Sequence, residues 1–146
     1  MPRYAVAERS AGAGSTTLPL MSIFAAAAVS LKIREIGVFN TTTTAVAIAL
    51  RRYTAVGTVG ASLTEMPYDK ASAAAAGTAV NTHTVTPTFE AGNIRVATLG
   101  AAAGAGVIWT FGDTGLVIPV GTGNGIGVSV LTGTGQICDV YFDWDE

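Results

Sequence analysis

The sequence predicts an all-β protein, an antiparallel β-sandwich of jelly-roll-like form. Three observations carry that expectation. Apolar residues alternate with polar or small ones at period two through several segments, most regularly between Gly106 and Trp144; such strands bury one face in a core. Segments of this kind recur about eight to nine times at roughly 8–14-residue spacing, separated by Gly-, Thr-, Pro- and Asn-bearing turns, as in sandwiches and barrels. No stretch sustains a helical period.

Residues 1–17 (MPRYAVAERSAGAGSTT) are small, polar and glycine-bearing. They predict an extended N-terminal arm outside a single sandwich domain of residues 18–146, mobile in the free chain and ordering on a partner. Arg3, Tyr4 and Arg9 are its candidate partner-binding residues, because Tyr and Arg are enriched at the centres of protein interfaces. Leu18–Leu31 is the longest apolar run but contains Pro19, Ser22 and Ser30. A spanning helix needs about 20 mostly apolar residues, so no membrane segment is expected. A secretory signal fits poorly too, since polar chain with Glu8 precedes the run and Lys32 and Arg34 follow it.

Val29–Asn40 starts with Val29, Leu31 and Ile33 on one face and continues with Ile36 and Val38 on the opposite phase. A one-residue phase switch predicts a β-bulge near Arg34–Glu35. Asn40–Thr44 reads as a turn. In Ala45–Thr54, Val46, Ile48 and Leu50 share one face and Ala45, Ala47 and Ala49 the other, which suggests close cover of the alanine face by another layer. Gly57–Ala61 breaks the pattern, Leu63–Tyr68 is a short segment, and Ala71–Ala76 is a loop or a single helical turn. Ala79–Val85 and Ile94–Leu99 are strands separated by a Pro87/Gly92 loop, and Gly100–Gly106 is a flexible connector. Val107, Trp109 and Phe111, then Leu116–Val120, then Ile126, Val128 and Val130, then Cys138, Val140, Phe142 and Trp144 complete the strand set.

Composition bounds the function. A chain of 146 residues fits one domain. It is 49% hydrophobic and 12% charged, where soluble domains carry about 25% charged residues. The surplus apolar surface predicts homo-oligomeric contacts. Net charge is −2 and the basic residues are scattered apart from Arg51–Arg52, unlike the basic face of a nucleic-acid binder. Cys138 is the only cysteine, so no internal disulfide forms, and its phase predicts a core thiol.

Little side-chain chemistry stands out. His83 is the only histidine. It falls in register with Asn81 and Val85 and reads as a strand-surface or half-buried residue, with no partner set for a metal or a catalytic site. Asp139, Asp143, Asp145 and Glu146 cluster at the C-terminus. Asp139 and Asp143 on one strand face stand roughly 13–14 Å apart, beyond the ~5 Å of a retaining glycosidase pair or the ~6.5–9.5 Å of an inverting one; an oxygen-rich end of this kind could hold Ca²⁺, but it is more often a solvated edge that blunts strand-to-strand aggregation. Gly121–Gly127 lies between strands, so it lacks the helix a phosphate loop requires and reads as a turn in which Gly and Asn124 take positive φ. Asn40-Thr41-Thr42 matches the N-glycosylation pattern. Trp109, Phe111, Phe142 and Trp144 sit at core positions, whereas Tyr141 and Ile108, on the opposite phase, are candidates for external contact.

The segments LKIREIGVFNTT, AIALRRYT, GVIWTFGDTGLVIPVGTGNGIGV and TGQICDVYFDWDE resemble small β-sandwich virion proteins of tailed bacteriophages and prophages, particularly those of actinobacteria. The likeness spans about residues 29–146 and leaves the arm outside. It implies a capsid decoration or minor head protein, commonly a homotrimeric jelly roll, bound to the major capsid protein on the capsid surface and made in the bacterial host cytoplasm. It supplies no catalytic motif and no cofactor, and the expectation is a non-enzymatic structural protein. The alternatives are a tail-associated structural or sugar- or receptor-binding module, favoured by exposed aromatics in a groove, and a small hydrolase using the acidic end.

Overall fold

The computed structural model describes residues 1–146. Thirteen strands form: β1 (Arg3–Arg9), β2 (Met21–Phe24), β3 (Leu31–Asn40), β4 (Val46–Ala55), β5 (Thr58–Ser62), β6 (Met66–Pro67), β7 (Thr78–Val85), β8 (Thr88–Phe89), β9 (Arg95–Leu99), β10 (Gly106–Thr110), β11 (Leu116–Ile118), β12 (Gly125–Thr132) and β13 (Cys138–Asp145). They pair antiparallel into two sheets. The first runs β10-β3-β13-β1-β6, with β11 also on β3; the second runs β5-β7-β2-β12-β4-β8, with β9 also on β4. The chain therefore passes from one sheet to the other at β1–β2, β2–β3, β3–β4, β5–β6, β6–β7, β9–β10, β11–β12 and β12–β13, and the architecture is an antiparallel β-sandwich.

The predicted phases become the core. Ile33, Ile36 and Val38 of β3, Ile48 and Leu50 of β4, Ile126 and Val128 of β12, and Phe142 and Trp144 of β13 all bury against one another between the sheets, with Trp109 at the margin. The bulge lies where the phase switch puts it. Asp143 pairs with Glu35 and the next residue, Trp144, pairs with Ile33, so Arg34 has no residue opposite. The extra residue turns both Ile33 and Ile36 inward and frees Arg34 to reach sideways. Its guanidinium donates to Asp145 at 2.6 Å and to the carbonyls of Gly112 and Asp113.

Residues 1–17 correct the expectation of a detached arm. Arg3–Arg9 is β1, paired along its whole length with β13 and at Tyr4–Ala5 with β6. Its alternation is Tyr4 and Val6 inward, both buried, against Ala5 and Ala7. The small polar composition hid a strand because Arg3, Ala5, Ala7 and Arg9 occupy the outward positions. The Tyr4 ring stacks on Trp144 with centroids 5.8 Å apart, and its hydroxyl donates to the Ala73 carbonyl. Other boundaries shift as well. Thr58–Ser62, where the pattern breaks, forms edge strand β5 on β7. The apolar run 18–31 contains β2, with Met21 and Ile23 in the core and Phe24 outside it. Ala71–Ala76 takes up no helix.

Two outcomes test this architecture. Phe142→Ala leaves a cavity in a fully buried site and should cost about 3–5 kcal/mol, a fall of roughly 10 °C in melting temperature at about 2–4 °C per kcal/mol for a chain this size. Deleting residues 1–9 strips an edge from β13 and two side chains from the core, so the truncated chain should melt at least as far below wild type. A truncated protein with the wild-type melting curve would return the segment to a dispensable arm.

Candidate interaction site

The outer face of the first sheet is built from the outward positions of β1, β13, β3 and β10. Cross-strand pairing aligns them in rows. Ile108 pairs with Gly37, Gly37 with Tyr141, and Tyr141 with Ala7. The row on one side is Gly106, Phe39, Asp139 and Arg9; on the other, Thr110, Glu35, Asp143, Ala5 and Met66. Tyr141 and Ile108, the two candidates for external contact, thus lie in one row with only a glycine between them. A Cβ on Gly37 would stand 2.0 Å from the Tyr141 ring, so glycine is what lets that ring lie flat across β3. Phe39 and Tyr141 stack at 6.5 Å with planes 20° apart. With Arg9, Asp139 and Ala7 they line a concavity of about 270 Å³. Ile108, Met66 and Tyr68 are exposed apolar side chains on or beside this face, at 52%, 62% and 62%.

Charge on the face is arranged in two ways. At its ends the groups are paired. Arg9 makes a two-pronged contact with Asp139 at 2.7 and 3.1 Å, and this hydrogen bonding holds the Asp139 carboxyl below its ordinary range. Arg3 and Arg34 both donate to Asp145, at 2.8 and 2.6 Å; burial opposes ionisation of Asp145, and the two guanidinium groups outweigh it and lower its pKa. In the middle, Glu35 and Asp143 stand directly opposite each other, an unfavourable like-charge pairing. Each is held by a phenol instead of a cation: Tyr141 donates to Glu35 at 2.5 Å and Tyr68 to Asp143 at 2.7 Å. Burial raises the Asp143 carboxyl above its usual range and Glu35 adds to the shift, against the hydrogen bond from Tyr68.

The residues of the expected arm are thereby relocated. Arg3 and Arg9 face outward on β1 but are engaged with Asp145 and Asp139 of their own chain. Tyr4 is in the core at 2% exposure and has no surface to offer a partner. The acidic C-terminus is distributed rather than clustered: Glu146 accepts from the Ala76 and Gly77 N–H groups and from the Trp144 indole. No three His, Cys, Asp or Glu side chains converge as metal ligands.

The outer face of the second sheet carries a feature that alternation could not reveal. Phe24, Tyr53 and Val80 form a second apolar cluster, covered by Val56, Val59 and Phe89. His83 belongs to it. Thr82 has φ of 57°, the only non-glycine residue at positive φ, and this breaks the phase of β7. His83 therefore leaves the face of Asn81, whose side chain is tied to Ala11 and Arg9. It stands edge-on to Phe24 and Tyr53, with Nε2 2.9 Å from the Ser22 hydroxyl. Nearly full burial, at 4% exposure, corrects the expectation of a half-buried or surface histidine, and burial lowers its pKa. Gly127 makes room here, since a Cβ would meet the Tyr53 hydroxyl at 2.1 Å and Ser22 Oγ at 2.5 Å.

The remaining candidates are structural. Cys138 is buried, and burial pushes its thiol up to about 11. Asn40 is fully buried and its amide donates to the Thr44 and Gly100 carbonyls, so the sequon is closed to a glycan in the folded chain. In the Gly121–Gly127 turn, Gly121 takes positive φ and Asn124 does not; the Asn124 amide closes the turn on Val120 O. No family model, no curated protein and no solved structure matches the chain.

His83 generates a pH test. Its folded pKa lies below the ordinary 6.5, so above pH 6.5 neither state gains a proton and stability is flat in this group. As pH falls below 6.5 the unfolded chain takes up a proton that the folded chain resists, and stability drops. Denaturant midpoints at pH 7.5 and 5.5 should fall in wild type and fall less in His83→Gln. Equal slopes would mean that His83 titrates alike in both states.

Proposed function

We propose that this chain is a non-enzymatic structural protein of a bacteriophage virion, a homotrimeric decoration protein seated on the capsid surface against the major capsid protein. The observation that carries an assembly role is the outer face of the first sheet. Its centre is the row Ile108, Gly37, Tyr141 and Ala7, flanked by Phe39 and Met66, and nothing else in the chain packs on Ile108 or Met66 enough to bury them. Flat, small-residue faces with a few protruding apolar side chains are suited to close packing on another protein. The low charge content agrees with a protein that works in an assembly. The virion itself enters through the resemblance of the scaffold segments.

A second reading has one observation in its favour. Phe39 and Tyr141 are stacked rings beside a concavity that also holds Asp139 and Arg9, and aromatic planes with adjacent hydrogen-bonding groups suit a sugar ring. A sugar-binding tail module would use that concavity.

The experiment is to add purified protein to phage particles assembled without it. Saturable binding to the head, at symmetry-related positions in a cryo-EM map, is expected, with the free protein sedimenting well above the 14.7 kDa of one chain. Failure to bind heads, together with glycan-dependent binding abolished by Tyr141→Ala, would replace the decoration role with the sugar-binding one.

A further inference from the structure

We propose that two copies of this chain join edge to edge through β10: the strand Gly106–Thr110 of one pairs antiparallel with the same strand of the other about a two-fold axis at Ile108, and the first sheet continues across both. The proposal rests on the homo-oligomeric reading above and adds a contact to it. A two-fold contact is isologous and closes no threefold ring, so it joins copies from two trimers.

The backbone selects a strand as the occupant. β10 pairs only with β3 and forms an edge of its sheet. The Phe111 N–H donates to the Arg34 carbonyl and the Asn40 N–H to the Ala105 carbonyl. An antiparallel ladder bonds alternate residues, so Val107 and Trp109 turn their N–H and C=O groups to β3, while Gly106, Ile108 and Thr110 turn theirs away. No hydrogen bond within the chain reaches these three on that side, and all three are exposed. A free row of donors and acceptors is a template for another strand. The other edges are protected. β6 has two residues and ends in Pro67, and β8 has two residues between Pro87 and Glu90. The part of β1 beyond β6 carries Glu8 and Arg9. The Val117 carbonyl of β11 accepts from Arg52, β9 opens on Arg95, and β5 is irregular between Thr58 and Val59. β10 has no charge, no proline and no bulge.

The strand is its own complement, which commits the edge to a second copy. Only the register centred on Ile108 engages all three outward-turned residues, setting Gly106 against Thr110 twice and Ile108 against Ile108. On the inner face each Val107 then meets Trp109 of the other copy, a β-branched residue beside an aromatic one. Val107 is half-buried and Trp109 lies at the margin of the core, so the second copy extends the core at its margin. No charged side chain stands opposite another across the seam. The row Tyr141, Gly37 and Ile108 runs on into Ile108, Gly37 and Tyr141 of the second copy.

The test reads proximity at the axis. In a hydrogen-bonded antiparallel pair the Cα atoms lie about 5.5 Å apart, within the roughly 4.4–6.8 Å that a disulfide spans. Ile108→Cys should therefore give a disulfide-linked dimer under oxidised glutathione. Thr110→Cys, whose copies stand roughly 13–14 Å apart across the axis, should give on the order of tenfold less, and wild type, with Cys138 buried, none. Thr110→Pro removes an N–H that faces away from β3 and leaves the ladder within the chain whole. Its circular dichroism should match wild type, and its two-fold association should weaken by on the order of tenfold, leaving trimers where wild type forms hexamers. The crosslink is read whether or not the proline variant folds. Thr110→Cys that crosslinks as readily as Ile108→Cys would overturn the register. Thr110→Pro that assembles like wild type would overturn the contact; if it also no longer binds phage heads, the edge belongs to a capsid strand. A wild-type protein that stays monomeric would instead remove the homo-oligomeric reading beneath the proposal.

Discussion

The ladder that holds β13 between β3 and β1 organises the molecule. Eight residues at the C-terminus pair on one side with β3 and on the other with the first strand of the chain, so the centre of the first sheet is completed only by the last segment. Phe142 and Trp144 project from it into the core and Tyr4 stacks on Trp144, so the ladder and the core depend on each other. Arg3 of β1 and Arg34 of β3 converge on Asp145 and fasten three strands at one carboxylate. An exposed pair contributes little alone, but here Asp145 is nearly buried, and leaving it without its arginines would strand a charge in a place water reaches poorly. Contacts between residues this distant in sequence are entropically costly to close, and they mark a slow-folding topology.

The bulge at Arg34 links that ladder to the surface. Without the extra residue, Ile33 and Ile36 would face opposite sides and one would be left in solvent. With it, both bury, Arg34 is turned toward Asp145, and Glu35 is brought opposite Asp143. The like-charge pair on the outer face is thus a consequence of how the core is served. Tyr141 and Tyr68 moderate it by donating to each carboxylate, which costs the two tyrosines ease of ionisation: burial and the neighbouring carboxylate raise the pKa of Tyr141, and the bond to Asp143 that of Tyr68.

The second sheet solves a different problem. Its outer face is partly covered by the chain itself, through β5, β8 and the Val56–Val59 segment over Phe24, Tyr53 and Val80. Polar groups enter that cover. Ser22 is fully buried and bonded to His83, while the hydroxyls of Tyr53 and Ser129 and Nε of Arg51 have no protein partner. Unpaired buried polar atoms are costly, so this layer is a softer part of the structure than the core between the sheets. The αL conformation of Thr82 adds to that: a β-branched residue is strained there, and the change of phase it makes places His83 in the cluster.

What the amino-acid sequence determined by itself was everything that depends on period. Alternation in β3, β4, β12 and β13 identified the strands, their inward residues and the bulge, because a pleated strand repeats every two residues whatever surrounds it. It also marked Ile108 and Tyr141 as outward. The tertiary structure decided the rest. A short strand such as β1 looks like a polar tail until β13 is beside it, since only Tyr4 and Val6 of its seven residues are buried. The face of His83 depended on the conformation of Thr82, to which composition gives no clue. The neighbourhood of Arg9 and Asp139, or of Glu35 and Asp143, is a matter of register between strands far apart in the chain. Period is local and is written in the residues themselves, whereas register and sheet order are set by which distant strands bury one another, and only folding fixes that.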